Sequence, residues 1–202
     1  MSTTGRRPGR PAADSAGDTR SALLAASRAV FSERGYAGAG IAEIVARAGV
    51  SPPVLYHHFA GKADLYLAVA ADVYDEVLGA LDAAAGRTGG GFAERLDAVL
   101  VAAADLNEAD PTIAGFATAL PADLRLAGEL APVRDQMARV RAFFLRLAAD
   151  TGIPRRRREA VADACSTLIA GLSRAGAVQS SPAEFRRTVE SLRLLVKGDL
   201  FG

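Results

Sequence analysis

The amino-acid sequence predicts an all-α fold, and three observations point to it. Half of the 202 residues are hydrophobic, and Ala and Leu, which are strong helix formers, dominate them. Apolar residues recur at intervals of three to four positions through most of the chain, which is the period of an amphipathic helix. No segment shows the alternation of apolar and polar residues that is typical of a half-buried strand.

The first 18 residues differ from the rest in composition. They are rich in Gly, Pro, Arg, Ser and Thr and lack apolar periodicity, so a disordered basic arm is predicted over residues 1–18. A helix is predicted from about Thr19, with Asp18 or Thr19 as its N-cap, and Gly35 is placed to end it. Its apolar positions are Leu23, Ala26, Val30 and Phe31.

Two short helices joined through Gly49 are predicted next. Ser51 is expected to cap the second of them, which opens with Pro52 and Pro53, because proline is tolerated where the first amides lack helical partners. The inward-facing positions of the two helices are Ile41, Ile44, Val45, Leu55 and Phe59. This arrangement is a helix-turn-helix, whose second helix can lie in the major groove of DNA.

The remaining chain is predicted to be helical throughout. A long helix begins at Lys62 and reaches about Ala85. The later segments are a helix over about 91–106, a short one from Pro111, helices over about 121–150 and 159–178, and a final helix after the capping box Ser181-Pro182-Ala183-Glu184. The run Arg155-Arg156-Arg157-Arg158 is interpreted as a solvated loop and helix start.

The run from Gly35 to Lys62 resembles the DNA-binding domain of the tetracycline-repressor (TetR) family. The matches are the Ala-Gly-Val-Ser turn at 48–51, the Leu-Tyr-His-His-Phe segment at 55–59, and Lys62. The resemblance covers about residues 19–70. It implies a helix-turn-helix domain over 19–64, and a ligand-binding and dimerisation domain over 65–202. It also implies a homodimer that binds a palindromic double-stranded DNA operator and is released by a small-molecule effector.

The resemblance also implies which residues touch DNA. They are Gly40, Ser51, Pro52, Pro53, Val54, Tyr56, His57, His58 and Lys62, with Tyr56 and His58 on the backbone, His57 and the prolines over bases, and Lys62 on phosphate. Two positions depart from the family pattern. Gly40 stands where the family usually has Thr or Ser, so that only its amide can hold a phosphate. Val54 replaces a small hydroxyl residue and is expected to meet a thymine methyl group.

Charge is distributed unevenly along the chain. Residues 1–62 carry eight Lys or Arg and four Asp or Glu, whereas the remainder carries 16 and 19. This asymmetry is expected when one end of a protein faces phosphate. Arg6, Arg7 and Arg10, set among Pro and Gly, resemble a minor-groove hook, and an inert solubilising tail is the alternative.

Two further sets of residues are assigned to the larger domain. A stripe of small side chains on the penultimate helix, together with the last helix, is expected to form a four-helix dimer interface. Its members are Ala164, Thr167, Gly171, Ala175, Phe185, Val189, Leu192 and Val196. The candidate pocket residues are Phe116, Met137, Val140, Phe144, Cys165 and Leu168, and plain core packing is the alternative for each. An apolar lining favours a hydrophobic effector.

Several classes of protein fit this sequence poorly. A single Cys165 excludes an intramolecular disulfide, and neither a secretory signal nor a long apolar run is visible, so a cytoplasmic protein without a membrane partner is expected. Adjacent histidines project about 100° apart on a helix, which is poor geometry for a metal ligand pair. No nucleophile–base or metal motif indicates an enzyme, a cofactor or a metal.

The sequence therefore predicts a ligand-responsive regulator, most simply a repressor. Two alternatives stay open. One is a helical enzyme or carrier that contains a fortuitous helix-turn-helix-like segment. The other is a ligand-independent DNA-binding protein or an activator.

Overall fold

The computed structural model describes residues 13–178 and 181–198, and the regular elements in that part of the chain are all helices. They are α1 (Ala13–Gly38), α2 (Ile41–Ala48), α3 (Pro52–His58), α4 (Lys62–Gly86), α5 (Phe92–Ala109), α6 (Pro111–Leu126), α7 (Val133–Asp150), α8 (Arg155–Val178) and α9 (Pro182–Lys197). A 3-10 turn at Gly128–Leu130 joins α6 to α7. The all-α prediction is confirmed.

The first helix begins earlier than predicted. It starts at Ala13 instead of Thr19, and the alanines in its first turn are strong helix formers, so Asp18 and Thr19 lie inside the helix and do not cap it. The regular helix breaks at Gly35 as predicted, because this residue has φ 66° and ψ 177°. Residues 1–12, which include most of the predicted arm, lie outside the described residues.

The middle of the chain is divided differently from the prediction. The segment from Pro111 is a helix of 16 residues that passes through Pro121, and the predicted continuous helix over 121–150 does not exist. Burial of Ile113, Phe116 and Leu120 outweighs the hydrogen bond that Pro121 cannot make. The break comes later, at Gly128–Leu130, just before Pro132. The helix α8 also differs from the prediction, because it begins at Arg155 and not near residue 159. The arginine run therefore forms its first turn.

Two clusters of buried hydrophobic side chains form the core. The head cluster combines α1, α2, α3, the first half of α4 and α6, and includes Leu23, Phe31, Ile44, Leu55, Leu65, Tyr66 and Phe116. The body cluster combines the second half of α4 with α5, α7, α8 and α9, and includes Leu81, Leu100, Phe143, Phe144, Leu147, Ala162 and Phe185. Because α4 contributes to both clusters, it links them directly. No helix in the described ranges is long and apolar enough to cross a membrane.

Candidate nucleic-acid interface

The turn between α2 and α3 depends on one glycine. Gly49 adopts the left-handed conformation, with φ 68° and ψ 28°, and its N–H donates to the carbonyl of Ala46 at 3.3 Å. The N–H of Val50 then donates to the carbonyl of Val45 at 3.0 Å. These two bonds satisfy carbonyls that the end of α2 leaves unpaired and turn the chain sharply into α3. The predicted helix-turn-helix is therefore present.

The start of α3 differs in one detail from the prediction. Ser51 holds the N-cap position with an extended backbone, but its side chain makes no capping hydrogen bond. Proline has no N–H at either of the first two helical positions, and the N–H of Val54 donates instead to the carbonyl of Ser51 at 3.0 Å. The exposed Ser51 hydroxyl is thus not used to cap the helix.

The inner and outer faces of α3 are clearly separated. Leu55 and Phe59 are almost fully buried and anchor the helix on the head cluster, as predicted. The outward side chains are those of Ser51, Pro52, Pro53, Tyr56 and His57, while Val54 and His58 are half-buried. Tyr56 keeps 55% of its surface exposed, which is a large fraction for a tyrosine in a folded protein. A short, well-anchored helix therefore presents an aromatic and polar face to the outside.

Lys62 is held by the protein itself. Its Nζ donates to the carbonyls of Tyr36 at 2.9 Å and Ala39 at 3.1 Å, and lies 4.6 Å from the centre of the Tyr36 ring. These contacts tie the start of α4 to the end of α1. An ammonium group has three donors, so one is left for another acceptor such as a phosphate oxygen. The exposed Gly40 begins α2 without a side-chain cap.

Three of the five Lys and Arg residues described between Ala13 and Lys62, namely Arg28, Arg34 and Arg47, form ion pairs. Arg47 pairs with Glu33 at 2.6 Å and with Glu43 at 3.0 Å, and Arg34 pairs with Glu43 at 2.8 Å. The hydrogen bond from Arg47 lowers the pKa of Glu33. The guanidinium of Arg20 lies over the ring of Phe59 at 5.5 Å. The excess positive charge in residues 1–62 therefore comes mainly from Arg6, Arg7 and Arg10, which lie outside the described residues.

A buried carboxylate on α6 joins three helices of the head cluster. Asp123 is 5% exposed and accepts hydrogen bonds from the backbone N–H of Tyr36 at 2.9 Å and from the hydroxyl of Tyr66 at 2.8 Å. Burial and the bond to Asp123 raise the pKa of Tyr66 above its usual range. A Cβ atom at Gly35 would lie 3.0 Å from Asp123, so α6 approaches the kink of α1 very closely. One side chain thus fixes α1, α4 and α6 together.

Arg28 makes a second connection between the same helices. It lies on α1, and its guanidinium bonds Asp110 and Thr112 at the start of α6 and Glu76 on α4. Burial raises the pKa of Asp110, but the hydrogen bonds from Thr112, followed by the charge and hydrogen bond of Arg28, outweigh it and keep this pKa below its usual value. Sequence reasoning missed both Arg28 and Asp123. The available signal was a single charged residue on each of two otherwise apolar helix faces.

The predicted interface residues divide into three groups. Ala164, Thr167 and Gly171 are exposed on α8 and, with Leu192 on α9, line an open groove of about 420 Å³. Ala175 and Val196 are half-buried. Phe185 and Val189 are buried in the body cluster, so they support the groove from below and do not line it.

The predicted pocket residues do not line a common cavity. Phe116 lies in the head cluster, and Phe144 and Cys165 lie in the body cluster. Met137 is exposed on α7, and Val140 and Leu168 are half-buried. Burial raises the pKa of the Cys165 thiol to about 11, as expected of a small core residue. Periodicity identified apolar side chains correctly but could not show which of them border empty space.

Among the described residues, no group of three or more His, Cys, Asp and Glu side chains is arranged to hold a metal ion. His57 and His58 are neighbours with ring centres 5.3 Å apart and planes inclined at 75°.

The similarity of this sequence to known proteins lies mainly in the segment that contains the helix-turn-helix. Residues 23–69 match the model of the bacterial regulatory proteins of the tetR family. The HTH-type transcriptional activator FasR of Mycolicibacterium smegmatis is 58% identical over 52 residues, which are 26% of this chain and 24% of FasR. The HTH-type transcriptional regulator CymR of Pseudomonas putida is 40% identical over 68 residues, or 34% of each chain. The chain thus matches only about a quarter to a third of the length of these relatives.

Structural similarity extends much further along the chain. The crystal structure of a transcriptional regulator from Rhodococcus sp. Rha1 has a TM-score of 0.72 and 25% sequence identity, and the match covers 91% of this chain and 96% of that one. The same helical architecture therefore continues beyond the segment in which sequence similarity is strong. From the matched family model and the helix-turn-helix geometry, we conclude that residues 23–69 of this chain form a DNA-binding domain of the TetR family of bacterial regulatory proteins, followed by a helical fold shared with that regulator.

Proposed function

We propose that this chain is a cytoplasmic transcriptional repressor that binds a palindromic DNA operator as a homodimer and is released by a small hydrophobic effector. The observation that carries this proposal is the outward face of α3. Leu55 and Phe59 anchor the helix while Tyr56, His57 and the two prolines remain exposed. A short, rigid helix of this kind fits the major groove with its N-terminal end toward the base edges.

Each proposed DNA contact follows from the position of a residue on the head. Tyr56 and the half-buried His58 would reach the sugar-phosphate backbone, and His57, Pro52 and Pro53 would lie over bases. The free amides at the start of α2, beginning at Gly40, and the Ser51 hydroxyl would donate hydrogen bonds to phosphate oxygens. Lys62 would offer its third N–H to phosphate while its other two hold the end of α1. Val54 would meet a thymine methyl group.

The arm is proposed to add affinity without much specificity. Arg34 and Arg47 are already paired with glutamates, so the folded head contributes little net positive charge. Arg6, Arg7 and Arg10 would supply up to three further phosphate or minor-groove contacts.

The groove between α8 and α9 favours the proposal of a dimer. Its exposed small side chains, Ala164, Thr167 and Gly171, let a second helix pair approach closely, and Leu192 adds an apolar edge. Two copies joined there would form a four-helix interface and present two α3 helices. A spacing of about 34–36 Å between them would match successive turns of the DNA major groove.

Release is proposed to pass through α6. Asp123 and Arg28 join α6 to the kink of α1 and to α4, so a movement of α6 would change the positions of α1 and α4. A coupling free energy of about 1–3 kcal/mol between effector and operator is typical of such systems. This activity consists of binding alone and needs no covalent step.

We propose that residues 19–64, the head, form the DNA-binding domain and that residues 65–202, the body, form the ligand-binding and dimerisation domain.

One observation favours activation over repression. FasR, which is 58% identical over 52 residues, is named a transcriptional activator. The same head can repress or activate, because the outcome depends on where the operator lies relative to the promoter. A promoter–reporter fusion carrying the operator, compared with and without the protein, separates the two: repression lowers the reporter signal and activation raises it.

Footprinting on the DNA that flanks the gene of this protein tests the proposal. We expect a protected palindrome whose two halves lie about one helical turn apart. The absence of any protected site at low salt, on that DNA or on a random-sequence pool after selection, would contradict operator binding.

A further inference from the structure

We infer that a surface cleft at the end of α5 is the effector site, and that it takes a small hydrophobic molecule with a hydroxyl or amino group. This inference rests on the proposed function only in calling the ligand an effector. The cleft has a volume of about 370 Å³, and its walls include Asn107, Glu108, Pro111, Gly176, Pro182 and Phe185.

The cleft lies beside a smaller, more enclosed space in the protein. That space is about 30 Å³, enough for one water molecule, and is lined mainly by the apolar side chains of Val77, Leu106, Ile113, Ile169 and Leu172. Asn107 and Phe185 line both spaces. A change in the Phe185 side chain would therefore join the cleft to an apolar interior and admit a short hydrocarbon chain.

Two residues that line the cleft, Asn107 and Glu108, each carry a buried side-chain acceptor that the described residues leave unused. Oδ1 of Asn107 and Oε1 of Glu108 are shielded from solvent and have no hydrogen-bond partner among the described residues. An unpaired buried acceptor is costly, so a ligand that donates a hydrogen bond gains free energy there. The other carboxylate oxygen of Glu108 already accepts from Arg186 on α9.

The two acceptors select the chemistry of the ligand. A hydroxyl or amine can donate to Asn107 Oδ1 or Glu108 Oε1 and place its hydrocarbon part against the apolar walls. A carboxylate has no proton to donate at neutral pH and would be repelled by Glu108. The site therefore favours uncharged or cationic donors over anions of the same size.

The position of the cleft connects it to the head. Pro111 lines the cleft, and its two neighbours in the chain, Asp110 and Thr112, are the residues that Arg28 of α1 binds. On the opposite wall, Gly176 of α8 packs so closely that any side chain there would collide with the Asn107 carboxamide. A ligand in this cleft thus presses on the residues that fix α6 to α1.

Isothermal titration calorimetry on the full chain without DNA tests the inference. The probes are 1-hexanol, hexylamine and hexanoate, which share one chain length and differ in the head group. We expect millimolar binding of the alcohol and the amine, and at least tenfold weaker binding of hexanoate. Asn107→Leu should weaken alcohol binding at least tenfold, whereas Thr118→Val, which removes another buried and unpaired acceptor, should leave it unchanged.

A second readout does not depend on Asn107. Because the chain contains no Trp, Phe185→Trp creates a single fluorophore in the wall of the cleft, and its emission should change on titration with 1-hexanol. Equal binding of hexanol and hexanoate, or equal effects of the Asn107 and Thr118 variants, would overturn the inference. DNA binding without any probe binding would overturn this site and leave the proposed function standing. Probe binding in a protein that protects no DNA would do the reverse.

Discussion

Single residues at the junction of α1, α4 and α6 hold these three helices of the head cluster together. Gly35 has a positive φ of 66° and faces Asp123, which in turn holds Tyr36 and Tyr66. The glycine thus serves both the kink and the close approach of α6. Lys62 reinforces the same corner by binding the carbonyls of Tyr36 and Ala39.

Substitution of two glycines by alanine should have opposite effects on stability. Gly35→Ala forces a side chain into the left-handed region and against Asp123, so we expect a loss of about 1–3 kcal/mol in the free energy of unfolding. Gly79→Ala lies in α4, where the added methyl group meets nothing within 4 Å, and should gain up to about 1 kcal/mol. Urea denaturation measures both. A Gly35→Ala protein as stable as the parent would show that the kink of α1 does not require glycine at this position.

At the scale of elements, an ion-pair clasp holds α9 to α5. Arg193 donates to Asp97 at 2.7 and 3.1 Å, and Lys197 lies 3.3 Å from the same carboxylate. These partners lower the pKa of Asp97 although partial burial opposes them, with the hydrogen bond from Arg193 as the largest cause. Since α9 also forms one side of the proposed dimer groove, this clasp positions the interface.

The clasp predicts a pH dependence of stability. A carboxyl group whose pKa is lower in the folded than in the unfolded state stabilises the fold above its unfolded pKa, and loses this effect as the pH falls through the folded value. Asp97→Asn should therefore cost about 1–3 kcal/mol at pH 7 and should reduce the acid sensitivity of the protein below about pH 4. Thermal unfolding between pH 2 and 7 checks this. An unchanged acid profile in the variant would show that Asp97 does not contribute.

The elements also show what the sequence could and could not predict. Helix type and the helix-turn-helix were predictable, because Gly49, the two prolines and the apolar spacing act locally. The helix boundary at Leu126 was not, since Pro121 looks like a stop signal and only packing of α6 against α1 and α8 explains why the helix continues. The Asp123 and Arg28 contacts were also hidden, because each joins residues more than 45 positions apart.

For the whole molecule, the proposed dimer depends on a surface that is exposed in a single chain. Gly171 lies in the open groove, and an added side chain there meets no atom within 4 Å. Gly171→Glu should therefore fold normally but place an unpaired carboxylate in the interface of the dimer, at a cost of several kcal/mol, on the order of 3–5. The expected result is a helical monomer that has lost most of its operator affinity.

Analytical ultracentrifugation with circular dichroism measures this, and Gly79→Glu is the matched control. Gly79 is also an exposed helical glycine in open space but lies on α4, away from the groove. A Gly171→Glu protein that remains dimeric with full helicity would place the interface elsewhere.

The six predicted pocket residues show what the sequence could not predict, because a cavity depends on how distant helices pack and has no local sequence signature.

The affinity of a Tyr56→Ala variant for the footprinted operator, measured by fluorescence anisotropy over a range of salt concentrations, tests whether the outward face of α3 binds DNA. Tyr56 is 55% exposed on α3, so its removal should leave the fold intact and weaken binding about tenfold or more, or about 1.4 kcal/mol. Met137→Ala, an exposed side chain on α7, should bind like the parent. If Tyr56→Ala holds the operator as tightly as the parent at every salt concentration, the outward face of α3 is not the DNA-binding surface.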